Sequence, residues 1–128
     1  MAKPDMIGIV VKEMRAALDF YRAVGLDIPP DAEKEDHVEV KANGYRIAWD
    51  TEEMVKGFNP AWKAPNDGLG RIGIAFLCDD SKDVDATYAR VIAKGYRSHK
   101  EPFDAFWGQR YAQVLDPDGN VIDLFAPL

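Results

Sequence analysis

Cysteine is almost absent from this sequence of 128 residues. The single cysteine, Cys78, excludes a disulfide within the chain. No apolar run approaches the roughly 18 residues that a membrane-spanning helix needs. The first residues, M-A-K-P-D, lack the apolar stretch of a signal peptide. These absences lead us to expect a cytoplasmic protein with no membrane partner.

Positive charge is also scarce. Sixteen Lys and Arg stand against 22 Asp and Glu, which gives a formal net charge of -6 at pH 7, and the sequence pI is about 4.8. Nucleic acid binding needs a basic face, so we do not expect a nucleic acid partner. The excess of acidic residues would suit a cationic small-molecule ligand. It is also compatible with a surface charge whose only role is solubility.

Histidine is rare too, because the chain holds only His37 and His99. Neither belongs to a Ser-His-acid arrangement, and no Gly-rich phosphate loop is present. His37 shares a strand face with Glu39, a pair that either binds a metal weakly or is simply solvated. The acids that follow Cys78 are expected to raise the pKa of its thiol, which argues against a nucleophilic role.

The tripeptide I-G-I occurs twice in the sequence, and each copy begins a similar pattern of predicted elements. Residues 6–11 run M-I-G-I-V-V and residues 71–76 run R-I-G-I-A-F. Each run is short and apolar, as a buried strand is. A helical pattern and further strand patterns follow each copy. The order predicts an internal repeat of two modules.

The first copy is followed by apolar residues at helical spacing, namely Met14, Ala17, Leu18 and Tyr21. Two strands, D-H-V-E-V-K and Y-R-I-A-W-D-T, then flank the turn A-N-G. After the second copy the helical face comprises Val84, Thr87, Tyr88, Val91 and Ile92. Ser81 or Asp83 is the predicted N-terminal cap of this helix.

The last two strands, R-Y-A-Q-V-L and V-I-D-L-F, flank D-P-D-G-N, whose residues favour a hairpin turn. The predicted fold class is therefore α+β, with two βαβββ modules at about residues 1–52 and 70–128. The segment 53–69 is predicted to be a linker without regular structure, because prolines and glycines interrupt it.

Two stretches carry a resemblance to a known family. The run L-D-F-Y-R-A-V-G-L (18–26) and the closing run R-Y-A-Q-V-L-D-P-D-G-N-V-I-D-L-F (110–125) resemble the vicinal oxygen chelate superfamily, also called the glyoxalase/bleomycin resistance/dioxygenase group. The resemblance covers nearly the whole chain. It implies two modules whose curled mixed sheets surround a shared cavity, and it implies a homodimer.

The resemblance also implies where a metal would be bound. Members commonly place a His on the first strand of each module and a Glu on the last, and such ligands suit Zn, Ni, Fe or Mn. Here the first-strand positions fall on Gly73 and on either Met6 or Gly8. The last-strand positions fall on Asp50 and Asp123. We therefore predict no cofactor and no metal site, with Asp50 and Asp123 as weak candidates.

Strand alternation predicts which side chains line a cavity. On the last hairpin, one face carries Tyr111, Gln113, Asp123 and Phe125, whereas the other face is apolar and should meet the helix. A W-G-Q-R run before this hairpin resembles the antibiotic-resistance members of the family, in which aromatic side chains stack on planar ligands. Trp107 is therefore a candidate ligand contact. Trp49 is a second candidate ligand contact, although the alternation of side chains along its strand also allows Trp49 to lie in the core.

Three functions remain open at this stage. The first is metal-independent binding or sequestration of a small aromatic or cationic compound, as in the resistance branch, with the glycines of the I-G-I runs leaving room for a bulky guest. Those glycines could equally serve close packing. The second is a lyase, isomerase or dioxygenase that uses Asp50 and Asp123 with a metal, or Asp123 as a catalytic base. The third is a non-catalytic dimeric module.

Overall fold

A computed structural model describes residues 1–65 and 72–128. Residues 66–71 hold the end of the predicted linker and the predicted start of the second module, and they lie outside the described residues. The chain forms two compact units. The first comprises Met1–Arg22 with Leu26–Ala64, and the second comprises Ala23–Gly25 with Pro65–Leu128. The module limits at 52 and 70 stay a prediction.

The elements up to residue 64 are β1 (Met6–Val11), α1 (Met14–Val24), a short 3₁₀ helix (Ala32–Lys34), β2 (His37–Ala42), β3 (Tyr45–Thr51) and α2 (Glu52–Phe58). All belong to the first unit except the last two residues of α1. The three strands form a sheet in the order β1-β3-β2, in which β1 runs parallel to β3 and β2 runs antiparallel to it.

The helix α1 forms where the apolar spacing predicts it. The Glu13 carboxylate accepts the N–H of Ala16 at 2.7 Å, which satisfies a free donor in the first turn. The four residues of the predicted face, Met14, Ala17, Leu18 and Tyr21, are all buried. The Tyr21 ring packs on Trp49 of β3 with centroids 5.3 Å apart, so this face of the sheet forms the core of the unit.

The first unit has three strands and not the four of a βαβββ module. Between α1 and β2 the chain passes through two prolines and the 3₁₀ helix, which leave no run for a strand. Arg22 holds this connection, because its guanidinium donates to the carbonyls of Ile28 at 3.3 Å and Pro29 at 2.7 Å. The first unit is therefore βαββ.

The predicted linker begins with a helix, so the expectation of irregular structure is wrong for Glu52–Phe58. Thr51 caps this helix, α2, by accepting the N–H of Met54 at 3.2 Å. Val55 is the buried residue of α2. Gly57 lies in the last turn of this helix, and the other prolines and glycines that suggested a loop follow the helix in the sequence.

The second unit has the complete βαβββ order. Its elements are β4 (Ile74–Leu77), α3 (Ser81–Ala93), β5 (Arg97–Ala105), β6 (Gln109–Leu115) and β7 (Val121–Pro127). The sheet order is β4-β7-β6-β5, with β4 parallel to β7 and the other neighbours antiparallel. The predicted α+β class with two mixed sheets is confirmed.

Two details of the second unit differ from the prediction. The strand β4 starts only at Ile74, and Ile72 of the predicted buried strand is 88% exposed. The cap of α3 is Asp80 rather than Ser81 or Asp83, since its carboxylate accepts the Asp83 N–H at 2.8 Å. Asp83 instead accepts the N–H of Asp79 at 2.9 Å, which completes a reciprocal cap.

The turn between β6 and β7 is built around Asp116, whose side chain is buried. Its carboxylate accepts the backbone N–H groups of Asp118 at 2.9 Å and Asn120 at 2.8 Å, and the Asn120 side-chain amide at 2.8 Å. The turn fixes the register of the hairpin, so Tyr111 lies opposite Phe125 and Gln113 opposite Asp123, as the sequence predicts. Within residues 1–65 and 72–128, no helix is long and apolar enough to cross a membrane.

Candidate functional site

Strict alternation along β6 and β7 separates the two faces of the second sheet. One face contacts α3 and consists of fully buried apolar residues, namely Ala112, Val114, Ile122 and Leu124. The opposite face, called the distal face below, carries the predicted ligand contacts, namely Tyr111, Gln113, Asp123 and Phe125, all partly buried. The predicted division of the hairpin into an apolar and a polar–aromatic face is confirmed.

Asp123 is the centre of a hydrogen-bonded group on the distal face. Its Oδ2 accepts the Tyr111 hydroxyl, and its Oδ1 accepts the Gln113 side-chain amide at 2.8 Å. Partial burial, together with the hydrogen bond to Asp123 and the charge of that carboxylate, raises the pKa of Tyr111 to about 12. Tyr111 is therefore protonated at neutral pH and donates to the carboxylate.

The group formed by Tyr111, Gln113 and Asp123 keeps a net negative charge and free acceptor positions. A carboxylate offers about four lone-pair sites, and the two protein donors use two of them. The Tyr111 oxygen also has lone pairs to offer. The group therefore suits a ligand that donates hydrogen bonds, and a cationic donor most of all.

Aromatic rings surround this group on one side. Trp107, in the turn between β5 and β6, meets Tyr111 edge to face with centroids 5.4 Å apart. Phe103 lies 6.1 Å from Tyr111 and 6.2 Å from Trp107, and Phe106 lies 5.0 Å from Trp107. The Trp107 indole donates to Gln109 Oε1 at 2.8 Å, which orients a ring that is half exposed. A ring held in this way offers a flat surface for stacking.

An irregularity in β5 brings two further side chains to the distal face. Lys100 pairs with Gln113 and Phe103 pairs with Tyr111, so three steps on β5 match two steps on β6. Without this β-bulge, Lys100 and Phe103 would point to opposite faces. The Lys100 ammonium instead lies 5.0 Å from the centroid of the Phe103 ring. Sequence reasoning missed Lys100, and the only signal for the bulge is Pro102 inside the strand.

Trp49 does not share this environment. Its side chain is fully buried in the core of the first unit, against Tyr21. Of the two places that its parity allowed, the core is the one observed, so Trp49 has no surface to offer a ligand. Its indole nitrogen has no hydrogen-bond partner among the described residues.

Asp50 takes part in a separate charged network on the face of the first sheet opposite Trp49. His37 lies between two carboxylates, with Nδ1 2.5 Å from Asp50 and Nε2 3.0 Å from Glu39. Arg46 donates to Glu39 at 2.8 Å and also pairs with Asp5. The hydrogen bonds of Asp50 and then of Glu39 raise the pKa of His37, so the protonated ring is favoured in the fold.

This raised pKa predicts a pH dependence of stability. A group whose pKa is higher in the fold stabilises it fully below the unfolded value, near 6.5 for His, and this contribution is lost as pH rises through the folded pKa. Urea denaturation should therefore show wild type losing stability relative to His37→Gln as the pH rises above about 6.5. The effect is small because the His37 side chain is 41% exposed. Equal pH profiles for the two proteins would contradict this assignment.

The residues present do not fit the metal centre that the family resemblance implies. A Cβ atom added at Gly73 would lie 3.9 Å from Asp123 Oδ2, so this is the position beside the carboxylate, and it has no imidazole. The two ring nitrogens of His37 face different carboxylates, on opposite sides of the ring. His37, Asp50 and Glu39 therefore cannot all bind the same metal ion. Among the residues the structure describes, no group of three or more His, Cys, Asp or Glu side chains could hold a metal.

The two glycines of the I-G-I runs are not required by close packing. A Cβ atom at Gly8 would meet nothing within 4 Å among the described residues, and at Gly73 it would make only ordinary contacts. These distances give no support to the close-packing role, and the role of leaving room for a guest stays a prediction. The thiol of Cys78 has a raised pKa, chiefly through burial and then through the charge of Asp83, which agrees with the predicted direction.

Comparison with known proteins assigns the family. The model of the Glyoxalase/Bleomycin resistance protein/Dioxygenase superfamily matches residues 3–124. The chain belongs to this superfamily. Membership of the superfamily fixes neither a substrate nor a metal requirement, because its name covers both enzymes and resistance proteins. No curated protein sequence gives a significant match.

Solved structures of glyoxalase-related proteins are similar to this chain over most of their length. A family enzyme from Burkholderia phytofirmans is 21% identical, with a TM-score of 0.84 over 99% of this chain and 100% of that one. A superfamily member from Sphaerobacter thermophilus is 25% identical, with a TM-score of 0.68 over 98% of each chain. A glyoxalase-related enzyme from Fulvimarina pelagi is 17% identical, with a TM-score of 0.79 over 98% and 88%. These likenesses support the fold.

Proposed function

We propose that this superfamily member binds a small aromatic, cationic compound on the distal face of the second sheet without a metal. The observation that carries the proposal is the Asp123 carboxylate, held by Tyr111 and Gln113 beside the rings of Phe103 and Trp107. A negative acceptor beside flat aromatic surfaces matches a planar cation in both charge and shape.

The position beside Asp123 on β4's N-terminal side is Gly73, which supplies no imidazole, and this supports the metal-independent part of the proposal. Asp123 already receives two protein donors, and Gly73 leaves the neighbouring position open. Sequestration needs affinity alone, and therefore resistance to a toxic compound is the physiological role that this site would serve. A cytoplasmic location and a homodimer remain predictions.

Catalysis by a lyase, isomerase or dioxygenase is the alternative function. It would need Asp50 and Asp123 with a metal, or Asp123 as a base. Asp50 is engaged by His37, and Asp123 by Tyr111 and Gln113, and no described contact favours proton transfer over binding. Binding is therefore the function that these contacts support best.

Calorimetric titration with 2-(aminomethyl)naphthalene tests the proposal, and 2-(hydroxymethyl)naphthalene serves as the neutral comparison. We expect wild type to prefer the amine. Asp123→Asn should weaken amine binding by about 10- to 100-fold, because a hydrogen bond between charged groups contributes roughly 1.5–3 kcal/mol. The neutral alcohol should bind both proteins alike.

The controls separate the charge from the aromatic surface and from metal. Trp107→Ala should lower the affinity for both ligands by roughly tenfold, whereas Trp107→Phe should keep most of the wild-type affinity. Asp79→Asn, at an exposed acid of the same unit, should change nothing. An affinity that EDTA abolishes, or an amine that binds Asp123→Asn as well as wild type, would overturn the proposal.

A further inference from the structure

The bulge in β5 carries an inference about the chemical class of the ligand, and it rests on the proposed function. The distal face holds a second charged group besides Asp123, the ammonium of Lys100. Lys100 forms no ion pair within residues 1–65 and 72–128, although acids are more numerous than bases in this chain. Its positive charge is therefore available to a guest.

The register places the two charges at the two ends of one cross-strand row, which runs alongside a row of aromatic residues. Lys100 on β5, Gln113 on β6 and Asp123 on β7 are cross-strand neighbours in one row. Two strand spacings separate the ends of this row, roughly 9.5 Å between backbone positions. Phe103, Tyr111 and Phe125 form the next row along the same strands. This backbone span is comparable to the length of a fused two-ring aromatic molecule that carries one substituent at each end.

The bulge supports a functional origin for this arrangement. A regular strand would pair Tyr111 with Pro102 and would place Phe103 on the face opposite to Lys100. The irregular register costs ladder hydrogen bonds and aims both side chains at the distal face. A lysine whose only task was solubility would need no such register.

We infer that the ligand is dipolar: a flat aromatic compound with a cationic donor at one end, bound by Asp123, and an anionic group at the other end, bound by Lys100. A cation alone would leave the Lys100 charge unused. An anion alone would meet the repulsion of Asp123. The pair of charges therefore selects both the class of the ligand and its orientation across the strands.

Calorimetric titration with 6-(aminomethyl)-2-naphthoate and with its methyl ester tests this inference. The two probes share the ring and the amine, and they differ only in the negative charge. We expect wild type to bind the acid about five- to tenfold more tightly than the ester, a preference that falls as salt is added. In Lys100→Met the acid and the ester should bind equally. Lys82→Met, at an exposed lysine of α3, should keep the wild-type preference.

The outcomes of this experiment distinguish the inference from the proposed function. Equal binding of acid and ester by wild type, or a preference that survives Lys100→Met, would overturn the dipolar ligand. If the ester then still binds in a manner that depends on Asp123, the proposed function stands. If neither probe binds wild type, both fail. Circular dichroism of each variant confirms that the fold is retained.

Discussion

Replacing Trp49 with alanine is expected to lower the free energy of unfolding by about 4 kcal/mol, the usual cost of truncating a large core aromatic. The side chain is fully buried and packs on Tyr21, so its loss leaves a cavity that the surrounding β3 and α1 cannot close. Urea denaturation followed by far-UV circular dichroism measures the change. Binding of the naphthalene amine should be unaffected wherever the variant is folded.

Matched variants separate the two tryptophans. Trp49→Phe should cost roughly half as much, because it keeps most of the aromatic volume and removes an indole N–H that has no partner among the described residues. Trp107→Ala should cost less than about 1 kcal/mol, since that ring is half exposed. If Trp49→Ala left stability unchanged and abolished binding, Trp49 would belong to the ligand site after all.

The ambiguity over Trp49 shows where sequence reasoning reaches its limit. In β3 the run I-A-W is apolar on both parities, so alternation cannot assign a face. The β6 and β7 patterns are less ambiguous, because the polar residues Gln113 and Asp123 mark one face and the turn fixes the register. The common face of Tyr111, Gln113 and Asp123 was therefore predictable, whereas the place of Trp49 was not.

Asp116→Ala is expected to destabilise the protein by about 3 kcal/mol, because three donors in the β6–β7 turn would lose their acceptor. The carboxylate accepts two backbone N–H groups and the Asn120 amide, and the side chain is buried. Thermal and urea denaturation measure the loss. The same change should weaken binding of the naphthalene amine, since this turn sets the register that places Gln113 opposite Asp123.

The conservative variant tests the role assigned to Asp116. Asp116→Asn keeps one acceptor oxygen and should cost about half as much as Asp116→Ala. Asp27→Ala, at an exposed acid in the connection after α1, should change stability by less than about 0.5 kcal/mol. A fully stable Asp116→Ala protein would mean that the sequence P-D-G-N makes the turn unaided.

The remaining differences from the sequence prediction depend on contacts between residues distant in the chain. The His37 network requires the pairing of β2 with β3, which the turn at Asn43 and Gly44 fixes through their positive φ angles of 51° and 86°. Counting outward from that turn would have placed His37 opposite Asp50. The β5 bulge is harder to foresee, because a proline within a strand marks an irregularity without giving its direction.

The alternation in β6 and β7 also bears on how such a protein can change over generations. The residues that would choose a guest share these strands with the residues that hold the sheet to α3, yet the two sets point away from each other. If the distal face binds the ligand as proposed, substitutions there would alter recognition while the buried face keeps the architecture intact. The same hairpin could in this way keep its fold while its ligand specificity changes.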